Sequence, residues 1–199
     1  MLFRSRHFDW SATSLGPIDS WSNSLRTMVG AILESAFPQC VLWGPQRVTI
    51  HNDAFLPILG SKPPAIGRPF DTVWPEVWHV IGPLVERAYA GEPTFIEDYA
   101  LVVQRGGRPE QVYFTFCYSP IRDDDGRIAG MLDTVIETTA KVQAQQQARL
   151  VNAELAHRMQ NTLAIVHSIA DQTFRSADSL DDARATLGHR LKALGQARF

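Results

Sequence analysis

The longest regular pattern in the chain lies late. Leu155, Met159, Thr162, Val166, Ile169 and Thr173 follow one another at steps of 4, 3, 4, 3 and 4, a heptad seam along one face of a helix. On a helical wheel at about 100° per residue, all six fall within roughly 60° of the side opposite His157. The histidine therefore faces away from the seam. The pattern predicts a long helix over 138–174. Its first half is polar, with Gln143, Gln145, Gln146 and Gln147, and the seam extended backwards meets Gln145, Ala148 and Asn152, a weak packing surface whose register can shift. After a short turn at 175–178, Leu180, Ala183, Leu187, Leu191 and Leu194 predict a second helix. Ser179 with Asp182 resembles a capping box, Asp standing where Glu is usual. Two helices joined by so few residues predict an antiparallel hairpin. Its open apolar faces would close if two copies formed a four-helix bundle, so a homodimer is expected.

Upstream, the period changes. Residues 1–38 predict a turn at Leu15–Ser20, then a helix from Trp21 to about Ala36 capped by Ser20, with Leu25, Met28, Val29, Ile32 and Leu33 on one face and Pro38 as its end. Trp10 and Trp21 are expected to dock this element on the neighbouring domain. Residues 39–137 read as mixed α/β. Cys40–Trp43 and Val48–His51 predict two strands, and Asn52 or Asp53 caps a short helix. Pro57, Gly60, Pro63, Pro64 and Gly67 break up the next stretch. A helix over Glu76–Ala90 stops at Gly91. Three strands come next, over Phe95–Val103, Glu110–Pro120 and Arg127–Ile136. The middle one alternates, with Val112, Phe114, Phe116 and Tyr118 on one face and Tyr113, Thr115, Cys117 and Ser119 on the other. The expected architecture is α+β: a five-stranded antiparallel sheet with helices on one face, a long helix, and the dimeric helical hairpin.

Composition narrows the function classes. The 19 basic and 21 acidic residues give a net charge of −2, against the basic excess of a nucleic-acid-binding domain. No apolar run reaches the roughly 20 residues of a membrane span. Met1–Trp10 carries Arg4, Arg6 and Asp9 and no apolar leader core. A cytoplasmic protein is expected, with Cys40 and Cys117 as free thiols and no metal-ligand spacing.

Several short motifs recur along these elements. Leu42-Trp43-Gly44, His51-Asn52-Asp53-Ala54-Phe55, Gly67-Arg68-Pro69, Tyr118-Ser119-Pro120-Ile121 and Asp125-Gly126 stand in an order that resembles a PAS domain. Glu137-Thr138-Thr139 is similar to the acidic-x-Thr clasp that often precedes a signalling helix, and residues 8–21 to the extension before PAS domains of bacterial sensor kinases. Glu154-Leu155, His157-Arg158, Asn161-Thr162-Leu163-Ala164, Gly188, Arg190-Leu191 and Ala193-Leu194 resemble the dimerisation and phosphoacceptor domain of histidine kinases of the HWE/HisKA-related type. Gln160 stands where these kinases commonly have Lys.

The resemblance implies four parts: an N-terminal helical extension (1–38), a PAS sensor domain (39–137), a signalling helix linker (138–152) and the phosphoacceptor hairpin (153–199). It implies a two-component histidine kinase in which PAS input controls ATP-dependent phosphorylation of His157 and transfer to an Asp of a response regulator. ATP and magnesium would belong to an ATP-binding domain that these residues lack, leaving this part inactive alone. A neutral imidazole has a free nitrogen for phosphoryl transfer. Asn161, at about 40° on the wheel, and Glu154, at about 60°, are both placed to orient the ring. Arg158 can balance phosphate charge but cannot act as a base. The identity of the base stays open between Glu154, Asn161 and a group from outside. His167 and His189 read as flank residues. His79 lies on the helix that carries the ligand in haem-binding PAS domains, but one histidine does not make a haem site. Neither cysteine sits in the flavin-cysteine motif of light-sensing PAS domains. No cofactor is assigned to this part, and the ligand of the PAS domain is unknown. Trp43, Phe114, Phe116 and Tyr118 either line a ligand cavity or fill the core. The alternative function is a non-catalytic PAS dimerisation scaffold or a histidine phosphotransfer module.

Overall fold

A computed structural model describes residues 8–196. The leaderless start read at Met1–Trp10 lies largely outside them, as do positions 197–199 of the predicted hairpin. The described chain divides between Val142 and Gln143 into two compact units.

The first unit is built on an antiparallel sheet of five strands: β1 (Gln39–Trp43), β2 (Val48–His51), β3 (Thr94–Arg105), β4 (Arg108–Arg122) and β5 (Ile128–Glu137). Their order across the sheet is β2-β1-β5-β4-β3, so the last strand lies in the middle. Alternation decides the faces. Cys40 and Leu42 of β1, Val112, Phe114, Phe116 and Tyr118 of β4, and Met131 and Val135 of β5 point into one core. That core is covered by α2 (Leu56–Leu59), α3 (Phe70–Val73) and α4 (Trp78–Tyr89). Gly91, at φ +94°, comes just after α4, as the sequence predicts. Where β1 and β5 cross, a Cβ on Gly130 would lie 2.3 Å from the Leu42 carbonyl oxygen, so only glycine allows this approach.

Helices cover both faces, not one. The amphipathic helix α1 (Asn23–Leu33) lays Leu25, Val29 and Ile32 on the opposite face, against Val41, Val48 and Ile50. Trp43 points to this side as well, and so does not belong to the aromatic set of the helix-covered core. Trp10 and Trp21 dock there edge to face, 5.1 Å between ring centroids. The cap of α1 is Ser22, whose side chain accepts from the Leu25 amide, not Ser20. Ser20 closes a 3-10 turn over Ile18–Ser20 instead, and Trp21 is extended. The helix stops at Leu33, well before Pro38. A second anchor comes from far along the chain: Asp124, in the β4–β5 turn, accepts from the amides of Asn23 (3.0 Å) and Ser24 (2.8 Å). A carboxylate there complements the positive end of the helix dipole.

Asn52 ties the sheet to its surroundings. It is 2% exposed. Its amide nitrogen donates to the carbonyls of Ile32, Ser35 and Phe37 at 3.0, 3.2 and 2.7 Å. Its oxygen accepts from the amides of Gln39 and Phe55, both at 3.1 Å. This one side chain therefore satisfies the end of α1, the start of β1 and the turn into α2. Removing it strands several buried backbone groups, each worth roughly 1–3 kcal/mol. Asn52→Ala is expected to lower unfolding free energy by about 3 kcal/mol or more by that principle, measured by urea denaturation. The conservative Asn52→Asp also fails, because it supplies no N–H donors to the three carbonyls.

Candidate phosphoacceptor helix and sensory cavity

The sheet hands over to a helix at its centre. β5 ends at Glu137 and α5 runs from Thr139 to Ser176. The junction is fastened from three sides. Arg105 donates to both Glu137 carboxylate oxygens, at 3.2 and 2.6 Å, a bidentate geometry. Thr139 Oγ1 donates to Glu137 at 2.9 Å and accepts from the Tyr113 amide at 3.0 Å. Lys141 pairs with Glu97 (3.1 Å) and Asp98 (3.0 Å). The last two acids are aimed by a bulge in β3 between Ile96 and Tyr99, where Asp98 takes φ +48°. The Arg105 hydrogen bonds hold the Glu137 carboxyl below its ordinary value against the opposing effect of burial, and Lys141 is raised mainly by its bond to Asp98. The clasp motif of the sequence holds Glu137 and Thr139 but names neither Arg105 nor Lys141. The wheel position of a lysine three residues after Thr138 carried no hint of the bulge that meets it.

In the second unit, His157 is exposed on α5. Glu154, Arg158 and Asn161 are exposed beside it. Glu154 and Arg158 pair with each other across one helical turn, so the carboxylate is turned to the arginine. Neither Glu154 nor Asn161 hydrogen-bonds the imidazole. The seam opposite His157 is unevenly covered. Leu155 and Met159 are 54% and 65% exposed, whereas Thr162, Val166 and Ile169 are half-buried and Thr173 is buried. The helix α6 spans Leu180–Gln196, its first turn capped by Ser179, which accepts from the Asp182 amide at 3.2 Å. Arg190 donates to Thr173 Oγ1 at 3.2 Å and Ala183 is buried, so the two helices meet near their connection. His167 pairs with Asp171 along α5, and His189 is exposed.

Residues 154–198 match the HWE histidine kinase family. A blue-light-activated histidine kinase of Brucella anthropi is 39% identical over 72 residues, 36% of this chain and 15% of that protein. One of Brucella ovis is 32% identical over 111 residues, 56% of this chain and 21% of that protein. The chain thus aligns with about a fifth or less of these curated relatives. The PAS domain of Bordetella pertussis BvgS superimposes with a TM-score of 0.47 at 21% identity, covering 66% of this chain and 98% of that domain. The five-stranded antiparallel sheet with its helices, followed by a long helix, is the architecture that the PAS resemblance implies.

Inside the first unit, between the sheet and its helices, lies a cavity of about 40 Å³. Phe114, Phe116 and Tyr118 line it, with Phe55, Phe70 and Trp74 across from them. Neither cysteine is part of the wall. Cys40 is buried in the core and Cys117 is half-buried on the opposite face, which also keeps the two thiols from bridging. His79 is exposed on α4 and does not reach the cavity. Among the described residues, no helix is long and apolar enough to cross a membrane.

The Arg105–Glu137 clasp has a pH signature. Glu137 is depressed in the folded state, so its stabilisation is present above the unfolded value and lost as pH falls through the folded one. The Tm gap between wild type and Glu137→Gln is expected to be full above about pH 5 and to close as the pH drops through about 4 and below. Thermal melts across that range, followed by circular dichroism, check it.

Proposed function

We propose that this chain is the sensory and phosphoacceptor part of a two-component histidine kinase. The observation that carries the reading is the exposed His157, set opposite an apolar seam within the segment matched to the HWE family. In this reading a ring nitrogen of His157 attacks the γ-phosphorus of ATP, the bond to the bridging oxygen breaks, and ADP leaves. The phosphoryl group then passes to an aspartate of a response regulator. ATP and magnesium are brought by an ATP-binding domain outside these residues. With Glu154 held by Arg158, Asn161 is the neighbour left on the helix to accept a hydrogen bond from the other ring nitrogen. Arg158 balances charge on the transferring phosphate.

The open part of the seam supports a homodimer. Leu155 and Met159 of the seam and the adjacent Leu163 are all more than half exposed, and a second copy of the two helices would cover them as a four-helix bundle. Input is carried by the junction: a change in the sheet reaches α5 through Glu137, Thr139 and Lys141, all fixed to β3 or β4. The parts are then the extension, the PAS domain to 137, the linker helix to 152 and the phosphoacceptor hairpin.

Blue-light activation, the property in the relatives' names, would need a chromophore such as the flavin of light-sensing PAS domains. The cavity does not fit one. At about 40 Å³ it is far below the ~300–1,000 Å³ of pockets for large ligands, and no cysteine lines it. No light-driven step is therefore assigned to this chain.

The test supplies a histidine kinase ATP-binding domain, fused after Phe199, with labelled ATP. Acid-labile, base-stable label is expected on wild type and on His167→Ala and His189→Ala, and none on His157→Ala. Asn161→Ala is expected to slow labelling by about 10–100-fold, the range for loss of a group that assists proton transfer. Label that persists in His157→Ala overturns the assignment. Label acquired only from a phosphorylated response regulator would favour a phosphotransfer module instead.

A further inference from the structure

The edge strand β3 is held by the helices as well as by the sheet. It lies at the end of the strand order, so the amides on its free side have no strand to meet. Near its end, side chains from the segment between α2 and α4 take that place. Glu76, just before α4, accepts from the Gln104 amide at 3.2 Å. Ser61, just after α2, accepts from the Gly106 amide in the β3–β4 turn at 2.8 Å. Lys62 links the two ends of the segment: its ammonium donates to the same Glu76 oxygen at 2.6 Å and lies 4.7 Å from the centre of the Trp74 ring. The Lys62 and Glu76 side chains are only 10% and 15% exposed. At that depth an apolar pair would serve stability as well or better, so the charges point to a task of position.

Between the two fastened amides stands Arg105, whose guanidinium makes the bidentate clasp on Glu137. Its Nε is buried and makes no hydrogen bond, so the aim of the guanidinium is left to the backbone at Gln104 and Gly106. The end of α2 packs on the same side chain: a Cβ at Gly60 would lie 3.6 Å from Arg105 Nε. Helical segment, arginine, carboxylate and the first turn of α5 thus follow one another in contact, all within the first unit.

We propose that Ser61, Lys62 and Glu76 form a strap through which the helical cover α2–α4 sets the Arg105–Glu137 clasp, and with it the start of α5. The strap has two states. Closed, it holds Gln104 and Gly106 and keeps Arg105 on Glu137. Open, with Lys62 and Glu76 parted, both amides turn to water and Arg105 loses its support. A shift of Trp74, on whose ring the ammonium rests, acts on the pair directly. Between Lys62 and α3 lie Pro63, Pro64 and Gly67, and a segment with so few backbone hydrogen bonds moves at lower cost than the sheet. This input comes to α5 from the helices, beside the route through the sheet. Its effect on His157 rests on the phosphoacceptor reading; the strap itself is read at the clasp, so either can fail alone.

Two variants open the strap without stranding a charge: Ser61→Ala, and Lys62→Met combined with Glu76→Leu, an apolar pair in place of the ions. Glu86→Gln is the reference, since it removes another ion pair of the cover, with Arg47, away from the strap. Two readings are taken by NMR on the 199-residue chain. The first is the titration of the Glu137 carboxyl, which its bonds to Arg105 hold low. Its midpoint is expected to rise towards the ordinary carboxylate value in both strap variants and to stay in Glu86→Gln. The second is hydrogen exchange of the Tyr113 amide, which donates to Thr139 at the head of α5. That exchange is expected to be about fivefold faster or more in the strap variants, with the β1 amides unchanged. A Glu137 midpoint or Tyr113 rate unmoved in either strap variant overturns the proposal. So does the same change in Glu86→Gln, or an equal acceleration at β1, which would mean lost stability alone.

Discussion

The central place of β5 is the constraint on which the rest depends. It pairs with β1 on one side and β4 on the other, and its register is set twice over. A slip of one residue would turn Met131, Asp133 and Val135 outward together. It would also push a side chain at the Gly130 position into the Leu42 carbonyl, where no Cβ fits. The same strand ends at Glu137, one residue from α5. The strand that closes the core is therefore also the one that leads into the helix. Cavity wall and helix start lie on a single rigid element, with Asp133 and Glu137 four residues apart.

The sequence made much of this readable, and the failures have physical causes. Strand positions came through because β4 alternates strictly: Val112, Phe114, Phe116 and Tyr118 are all buried. Gly91 and the Ser179 cap came through because they act locally. What stayed hidden was non-local. Ser22, not Ser20, caps α1 because Ser20 is committed to its own turn. Helices on both faces could not be foreseen, since Val41 and Leu42 are equally apolar and only the fold shows which side each serves. For the same reason only the fold shows that Trp43 packs on the α1 side. Asp133 stood in plain view in the Met131-x-Asp133-x-Val135 alternation, a carboxyl at an inward position. The candidate residues of the phosphoacceptor motif lay together on α5 as spaced, but the Glu154–Arg158 pair changes which of them is available to the imidazole.

The two units rest on different physics. The first has a core on each face of the sheet, and its polar hub Asn52 is well satisfied. In the second, apolar side chains are mostly half-buried or exposed, and burial is concentrated near the α5–α6 connection at Thr173 and Ala183. Helical stability normally comes from packing an apolar face rather than from propensity. The stretch around Leu155 and Met159 therefore gains little from its own chain, and its order responds strongly to whatever covers it.

The cap that Asp124 places on α1 has a consequence for how the protein is made. The two residues it joins, Ser24 and Asp124, are 100 positions apart. On the ribosome, the first helix emerges long before its anchor, and the strands that cover its apolar face, β1 and β2, come after it without β5 to complete the sheet. Closing so long a loop is slow relative to local helix formation. The segment around α1, synthesised before the strands it packs on, is thus among the last parts of this unit to become fixed, and Trp21 and the α1 start stay without their anchor until the β4–β5 turn has been synthesised.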